Sequence, residues 1–110
     1  MALLFIDPGL LNRRVPLQVA DLSSDGAGGQ AGPWREVAEL FVHVEPLAVD
    51  AAERFDRREA TITHRVICRR RVGLERGMAF LLGTRRLLIR SVHDPDESGR
   101  YLVCRCEEEA

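Results

Sequence analysis

Apolar side chains recur at every second position in segment after segment of this chain, and that period restricts the fold more than any other feature. From Arg13 to Leu22, Val15, Leu17 and Val19 share one face and mostly polar residues the other. This is the pattern of a strand buried on one side. Alternation resumes from Trp34 to Glu45, where Trp34, Ala38, Leu40, Val42 and Val44 oppose Arg35, Glu39, His43 and Glu45. The β-branched and aromatic content there favours strand over helix. From Ala60 to Arg71, Ile62, His64, Val66 and Cys68 oppose Thr61, Thr63, Arg65 and Arg69. Met78 to Leu82, Arg86 to His93 and Tyr101 to Glu107 complete a set of six predicted strands.

The connections carry their own signals. Ser23 to Pro33 holds four glycines and a proline and reads as a long, flexible hairpin loop. Pro46 ends the second strand, after which the period changes. Leu47, Ala51 and Phe55 stand at i, i+4 and i+8, and Asp50 followed by Glu53 resembles a capping box, so a short helix is predicted to begin near Ala51. Gly73 and Gly77 bracket a turn, Gly83-Thr84 forms a tight one, and Asp94-Pro-Asp-Glu-Ser-Gly99 has turn chemistry throughout. With no parallel βαβ rhythm, the expected fold is mainly β. It is a small antiparallel barrel or sandwich of about six strands with one short helix inserted after the second, a closure that hides strand edges. The chain reads as a single domain over 1–110. It has an N-terminal extension at 1–9, the hairpin loop at 23–33 and the helical insertion at 47–59.

A chain of 110 residues buries about two-thirds of its unfolded surface, a modest core. Sixteen basic residues face seventeen acidic ones, for a net charge of −1, which gives no reason to expect a polyanion binder. All sixteen are arginine, a residue that pairs bidentately with carboxylates. They cluster at Arg13-Arg14, Arg57-Arg58, Arg69-Arg70-Arg71 and Arg85-Arg86. Acidic runs lie elsewhere, at Glu107-Glu108-Glu109, Glu36/Glu39 and Asp94-Pro-Asp-Glu97. Segregated opposite charges suit a head-to-tail interface that closes a ring, and equally describe a mixed, solvated surface.

The opening residues have an apolar run of only five before Asp7 and no basic n-region. That is too short for a signal peptide or a membrane span, so a cytoplasmic protein with no membrane partner is expected. Cys104 and Cys106 would share a strand face about 6.7 Å apart along it, poor geometry for a disulfide, and they read as small core hydrophobes. His64 and Cys68 would lie about 13 Å apart, too far to share a metal. No Ser sits in a nucleophile elbow, and Gly26-Ala-Gly-Gly29 lacks the Lys-Ser/Thr and the helix of a phosphate loop. Neither enzyme, metal nor other cofactor is expected.

In order along the chain, the segments resemble the phage head–tail joining family, the head-closure or stopper proteins. Leu10-Leu-Asn-Arg-Arg-Val-Pro-Leu-Gln18 resembles the family's Gly-x-Leu-x-x-Arg-Val-x-Leu-Gln opening, and Asp25-Gly26 with the Gly-rich stretch and Trp34 its Asp-x-x-Gly-Gly…Trp hairpin. Phe41-Val-His-Val-Glu-Pro-Leu47, Thr63-His-Arg-Val-Ile67, Arg76-Gly-Met78 and Ile89-Arg-Ser-Val-His-Asp-Pro-Asp96 are similar to further family segments. Pro16, the Gly/Ala-rich hairpin and the apolar stretch before Pro8 depart from the pattern; Pro16 would suit an edge or a bulge.

The resemblance implies a small β-barrel that joins a ring, sixfold or twelvefold, in the neck of a tailed phage or gene transfer agent particle. The ring would meet a portal or adaptor protein on the head side and a tail terminator or other tail protein on the other. It would continue and help close the channel through which packaged DNA passes without specific contacts. Expected ring-interface residues are Arg13, Arg14, Asp25, Gly26, Gly28, Gly29, Trp34, Arg69, Arg71, Asp94, Asp96 and Glu97. The insertion would present Asp50, Glu53, Arg54, Arg57 and Arg58 to the channel. A small barrel that binds nucleic acid or a ligand on its sheet is the alternative; exposed aromatics and net positive charge would favour it.

Overall fold

In a computed structural model, described for residues 7–21, 33–47 and 61–109, the alternating segments become β1 (Arg13–Ala20), β2 (Trp34–Pro46), β3 (His64–Arg69), β4 (Ala79–Leu82), β5 (Arg85–His93) and β6 (Tyr101–Glu108). All pair antiparallel and close into a barrel in the order β1-β2-β3-β6-β5-β4. The predicted mainly-β class and six-strand antiparallel closure therefore hold. The hairpin loop and the helical insertion fall outside the described residues. One short element had not been predicted, a 3-10 turn at Pro8–Leu10, in which the Asp7 carboxylate accepts the Gly9 N–H at 2.9 Å. Asp before Pro is an ordinary start signal for a helical turn. No described helix is long and apolar enough to cross a membrane.

Side chains on the inward parity fill the barrel: Val15, Leu17, Val42, Val66, Cys68, Phe80, Leu87, Ile89, Cys104 and Cys106 are all but fully buried. The three thiols act as core volume, and burial pushes Cys106 up to about 12. The seam between β1 and β4 is short, with only Leu17↔Phe80 and Gln18↔Ala79 in register. Tyr101, Leu11 and Ile67 form a second small cluster, set by the chain leaving the 3-10 turn.

One predicted face is corrected. The register between β1 and β2 slips between Leu17 and Gln18, so Leu17 faces Ala38, Gln18 faces Glu36, and Val37 is the extra residue of a bulge. Ala38, Leu40 and Val44 pack on the core as expected. Trp34, opposite Ala20, is carried to the outer face with Gln18.

Because the strands alternate in direction, the β1–β2, β3–β4 and β5–β6 connections leave one end of the barrel, and β2–β3 and β4–β5 the other. The β3–β4 connection must pass over the ends of β6 and β5 to reach β4. It is tied to β5 by Gly77 N–H donating to Ile89 C=O at 2.9 Å and Ile89 N–H to Met78 C=O at 2.8 Å. Its turns use Gly73 and Gly77 at φ of 90° and 93°, where a Cβ would be strained. Between them Leu74 drops into the core and closes that mouth.

Candidate functional site

The charged surface is arranged by cross-strand register. On β5 and β6, Arg85 grips Glu108 through two bonds of 2.8 and 2.9 Å, Arg86 reaches Glu109 at 2.8 Å, and Arg90 reaches Glu107 at 2.7 Å. The Arg85 guanidinium holds Glu108 below the usual carboxylate range. Elsewhere Arg14 pairs with Glu39 at 2.6 Å, and Arg65 holds Glu45, its direct cross-strand neighbour, bidentately at 3.0 and 2.9 Å. The acidic C-terminal run expected to stand apart from the arginines is therefore matched within the chain. That corrects the reading of segregated charge for those residues. Exposed pairs of this kind contribute little stability each.

The mouth at the other end, where β4 turns into β5 and β3 begins, is polar. His64 is buried there on the inward parity, its Nδ1 2.8 Å from Thr63 Oγ1, while the same Thr63 oxygen accepts the Glu108 N–H at 2.8 Å. Burial and the charge of Arg85 lower His64, with Glu108 opposing. Among the described residues no three His, Cys, Asp or Glu side chains gather in a way that could hold a metal.

The expected interface residues take different places. Asp94 accepts the N–H groups of Asp96 at 3.2 Å and Gly99 at 2.7 Å, and Asp96 accepts that of Ser98 at 3.1 Å. Their carboxylates shape the turn, and Glu97, next after Asp96, sits at a φ of 58°. Ser98 holds Asp96 below the usual carboxylate range. Trp34 lies under Arg86, whose Cζ is 4.9 Å from the ring centroid, and the Arg86 Nε also donates to Gln18 at 3.2 Å. Arg13 is exposed at the start of β1, and Arg14 stands 5.9 Å from the Phe41 centroid. Arg69 and Arg71 are exposed where β3 leaves the sheet. Asp25, Gly26, Gly28, Gly29, Asp50, Glu53, Arg54, Arg57 and Arg58 lie outside the described residues.

Of the expected set, Arg69 and Arg71 are brought together, and they gain neighbours the sequence reading left out. Arg70 and Arg76 join them, and among the described residues none of the four contacts a carboxylate. From Arg69 to Arg76 four arginines stand against Glu75 alone, a surplus of three positive charges in a chain whose total is −1. Two clefts flank the tract. One, of about 610 Å³, runs under the β3–β4 connection past Arg70, Arg71, Arg76 and Leu102, with Val72 88% exposed at its rim. The other, of about 380 Å³, lies between the 3-10 turn and β2, lined by Pro8, Leu11, Leu40, Phe41 and Arg69 to Arg71. Phe41 is 57% exposed. Its parity, opposite to Leu40 and Val42, was the signal that could have marked it. Exposed aromatic and arginine side chains around a concave surface are the composition of a protein-binding patch.

Comparison with known proteins places this barrel among particle proteins. No curated protein matches the chain. A chain of the virion of a native gene transfer agent particle is 26% identical, with a TM-score of 0.63, covering 89% of this chain and 94% of that one. The solution structure of a protein from Shigella flexneri 2a is 23% identical with a TM-score of 0.67, covering 96% and 98%, a likeness of fold. The family model described as phage head completion protein matches residues 6–109, which takes in every strand of the barrel. This chain belongs to the phage head completion protein family.

Proposed function

We propose that this member of a family of head structural proteins is a head–tail connector, a stopper that forms a ring between the portal or adaptor assembly and the tail. The match along the whole barrel carries the reading. The interior supports it in physical terms. The barrel is packed with side chains, Leu74 fills one mouth and the buried His64 stands at the other. DNA has no path through a subunit, so a DNA channel needs several copies around it. With Arg85, Arg86 and Arg90 matched to carboxylates, the tract of Arg69 to Arg71 with Arg76 is the densest run of arginines that contacts no carboxylate among the described residues, and it is assigned here to contacts with other proteins. The insertion residues Asp50, Glu53, Arg54, Arg57 and Arg58 are assigned to the channel side in this proposal.

Deleting the protein from its particle tests the reading. Filled heads without tails, restored to tailed particles by adding the purified protein, are expected. Normal yields of tailed particles without it would overturn the proposal, as would binding to portal–adaptor rings no stronger than that of a control protein.

A further inference from the structure

β2 is much longer than the partner on one of its sides. It pairs with β1 from Trp34 to Val42, but with β3 only from Val42 to Pro46. β3 stops at Arg69, and the chain turns away over the barrel mouth. From Trp34 to Phe41 the edge of β2 that faces away from β1 therefore meets no strand among the described residues. Eight residues of extended chain make a lane about 25 Å long, with backbone N–H and C=O groups aimed into it at alternate positions. Val37 and Phe41 on this strand are 39% and 57% exposed. Arg69, Arg70 and Arg71 stand at the head of the lane, and the smaller cleft opens beside it between Phe41 and the arginines.

We propose that this lane receives an extended, acidic segment of another protein as an added strand, in the place β3 vacates. Backbone pairing to β2 supplies the affinity, an apolar side chain enters the cleft beside Leu40 and Phe41, and flanking carboxylates meet the arginine tract. The charge favours another protein as the occupant, because the one run of three glutamates in this chain, Glu107 to Glu109, is already held by Arg90, Arg85 and Arg86. It also favours a peptide over DNA, which reads an arginine tract but has no strand to lay against an open sheet edge. The bulge at Val37 and the charges of Arg35, Glu36 and Glu39 discourage indiscriminate pairing along the same edge. The inference rests on the connector reading only for the source of the segment, a head or tail protein.

The test uses the whole protein and short blocked peptides followed by amide NMR. A peptide alternating valine and glutamate is expected to shift the amides of 35–41 and slow their hydrogen exchange. The same peptide N-methylated at alternate residues should bind about tenfold more weakly, because its pairing N–H groups are gone. A valine–lysine peptide, and the valine–glutamate peptide on a variant carrying Arg70→Glu and Arg71→Glu, should lose a similar factor. Equal binding of the N-methylated peptide would overturn strand addition, and equal binding of the lysine peptide would overturn the acidic assignment. Tighter binding of duplex DNA to the same residues, or protection of 35–41 that grows with protein concentration alone, would give the lane to DNA or to a second copy and overturn the proposal. Failure here leaves tail attachment by the deleted-and-restored particle unaffected, so the two readings fall separately.

Discussion

Arg85 and Arg86 open β5 at one end of the barrel; Arg69 to Arg71 close β3 at the other. In the sequence they are alike, short arginine runs at the boundaries of strands. In the fold they differ in what the neighbouring strand brings. β6 runs beside β5 and sets Glu108 and Glu109 within 2.8 Å of Arg85 and Arg86, and the second guanidinium also covers Trp34 and binds Gln18. β3 ends beside a stretch of β2 that meets no second strand among the described residues, and its arginines line two clefts instead. One end uses arginine to tie strands of the same chain together, while at the other Arg69 to Arg71 contact no carboxylate among the described residues. Charge clusters become interpretable only once register shows which of them are answered internally.

If the arginine-bearing end owes its shape to the plug beneath it, Leu74→Ala is the change that breaks the comparison most strongly. Leu74 is the buried anchor of a connection that otherwise lies on the surface. Truncation should cost about 2–3 kcal/mol through lost burial and the cavity it leaves. Urea denaturation would show it as a lower midpoint with little change in slope.

At the opposite end, Arg86→Ala removes the ion pair to Glu109, the bond to Gln18 and the contact with the Trp34 ring together. Those contacts cross the outer face over the short β4–β1 seam, so a loss of about 1 kcal/mol is expected. A double-mutant cycle with Trp34→Ala should return a clear coupling energy. Additive effects would show that the seam does not depend on this clamp.

These outcomes bear on how much could be read from the chain alone. Period-two alternation located all six strands, because each buries one face only. It grouped His64, Val66 and Cys68 on one face, which the fold turns to the core. It misplaced Trp34, because a single-residue bulge at Val37 reverses parity and no local signal marks it. The strand order, with β6 between β3 and β5, arises from long-range pairing that no window along the sequence contains. The same holds for the site. The exposure of Arg69 and Arg71 was legible in the alternation, but the matching of Glu107 to Glu109 by β5 arginines was not. The edge of β2 that meets no strand among the described residues was illegible too, since it depends on where β3 stops.

A subtler difference between the ends is pH response. Burial and the charge of Arg85 hold His64 below its ordinary value of 6.5. As pH falls through that value the unfolded chain takes up a proton that the folded chain refuses. Stability then declines until the folded value is reached and levels off below it. Above 6.5 both states are neutral and the residue is silent. His64→Gln should flatten this part of the stability–pH curve relative to wild type. A curve with unchanged slope would show that the polar mouth tolerates the imidazolium.

The smallest expected effect is the one that sharpens the contrast most. Arg70→Gln with Arg71→Gln removes two charges from the open end. Neither side chain contacts a carboxylate among the described residues, and both are exposed. Their loss should leave stability within about 0.5 kcal/mol of wild type. It should relieve some self-repulsion among the four arginines between Arg69 and Arg76, so at low salt the change can even favour the folded state, an effect that salt would screen. Thermal melts at low and high ionic strength check both the size and the sign. The same double variant should be deficient in restoring tails to filled heads, if the open end meets a neighbouring protein. Stable protein with impaired assembly is the signature of arginines held for a partner; the opposite pattern, lost stability with intact assembly, would place them with Arg86 as ties within the fold.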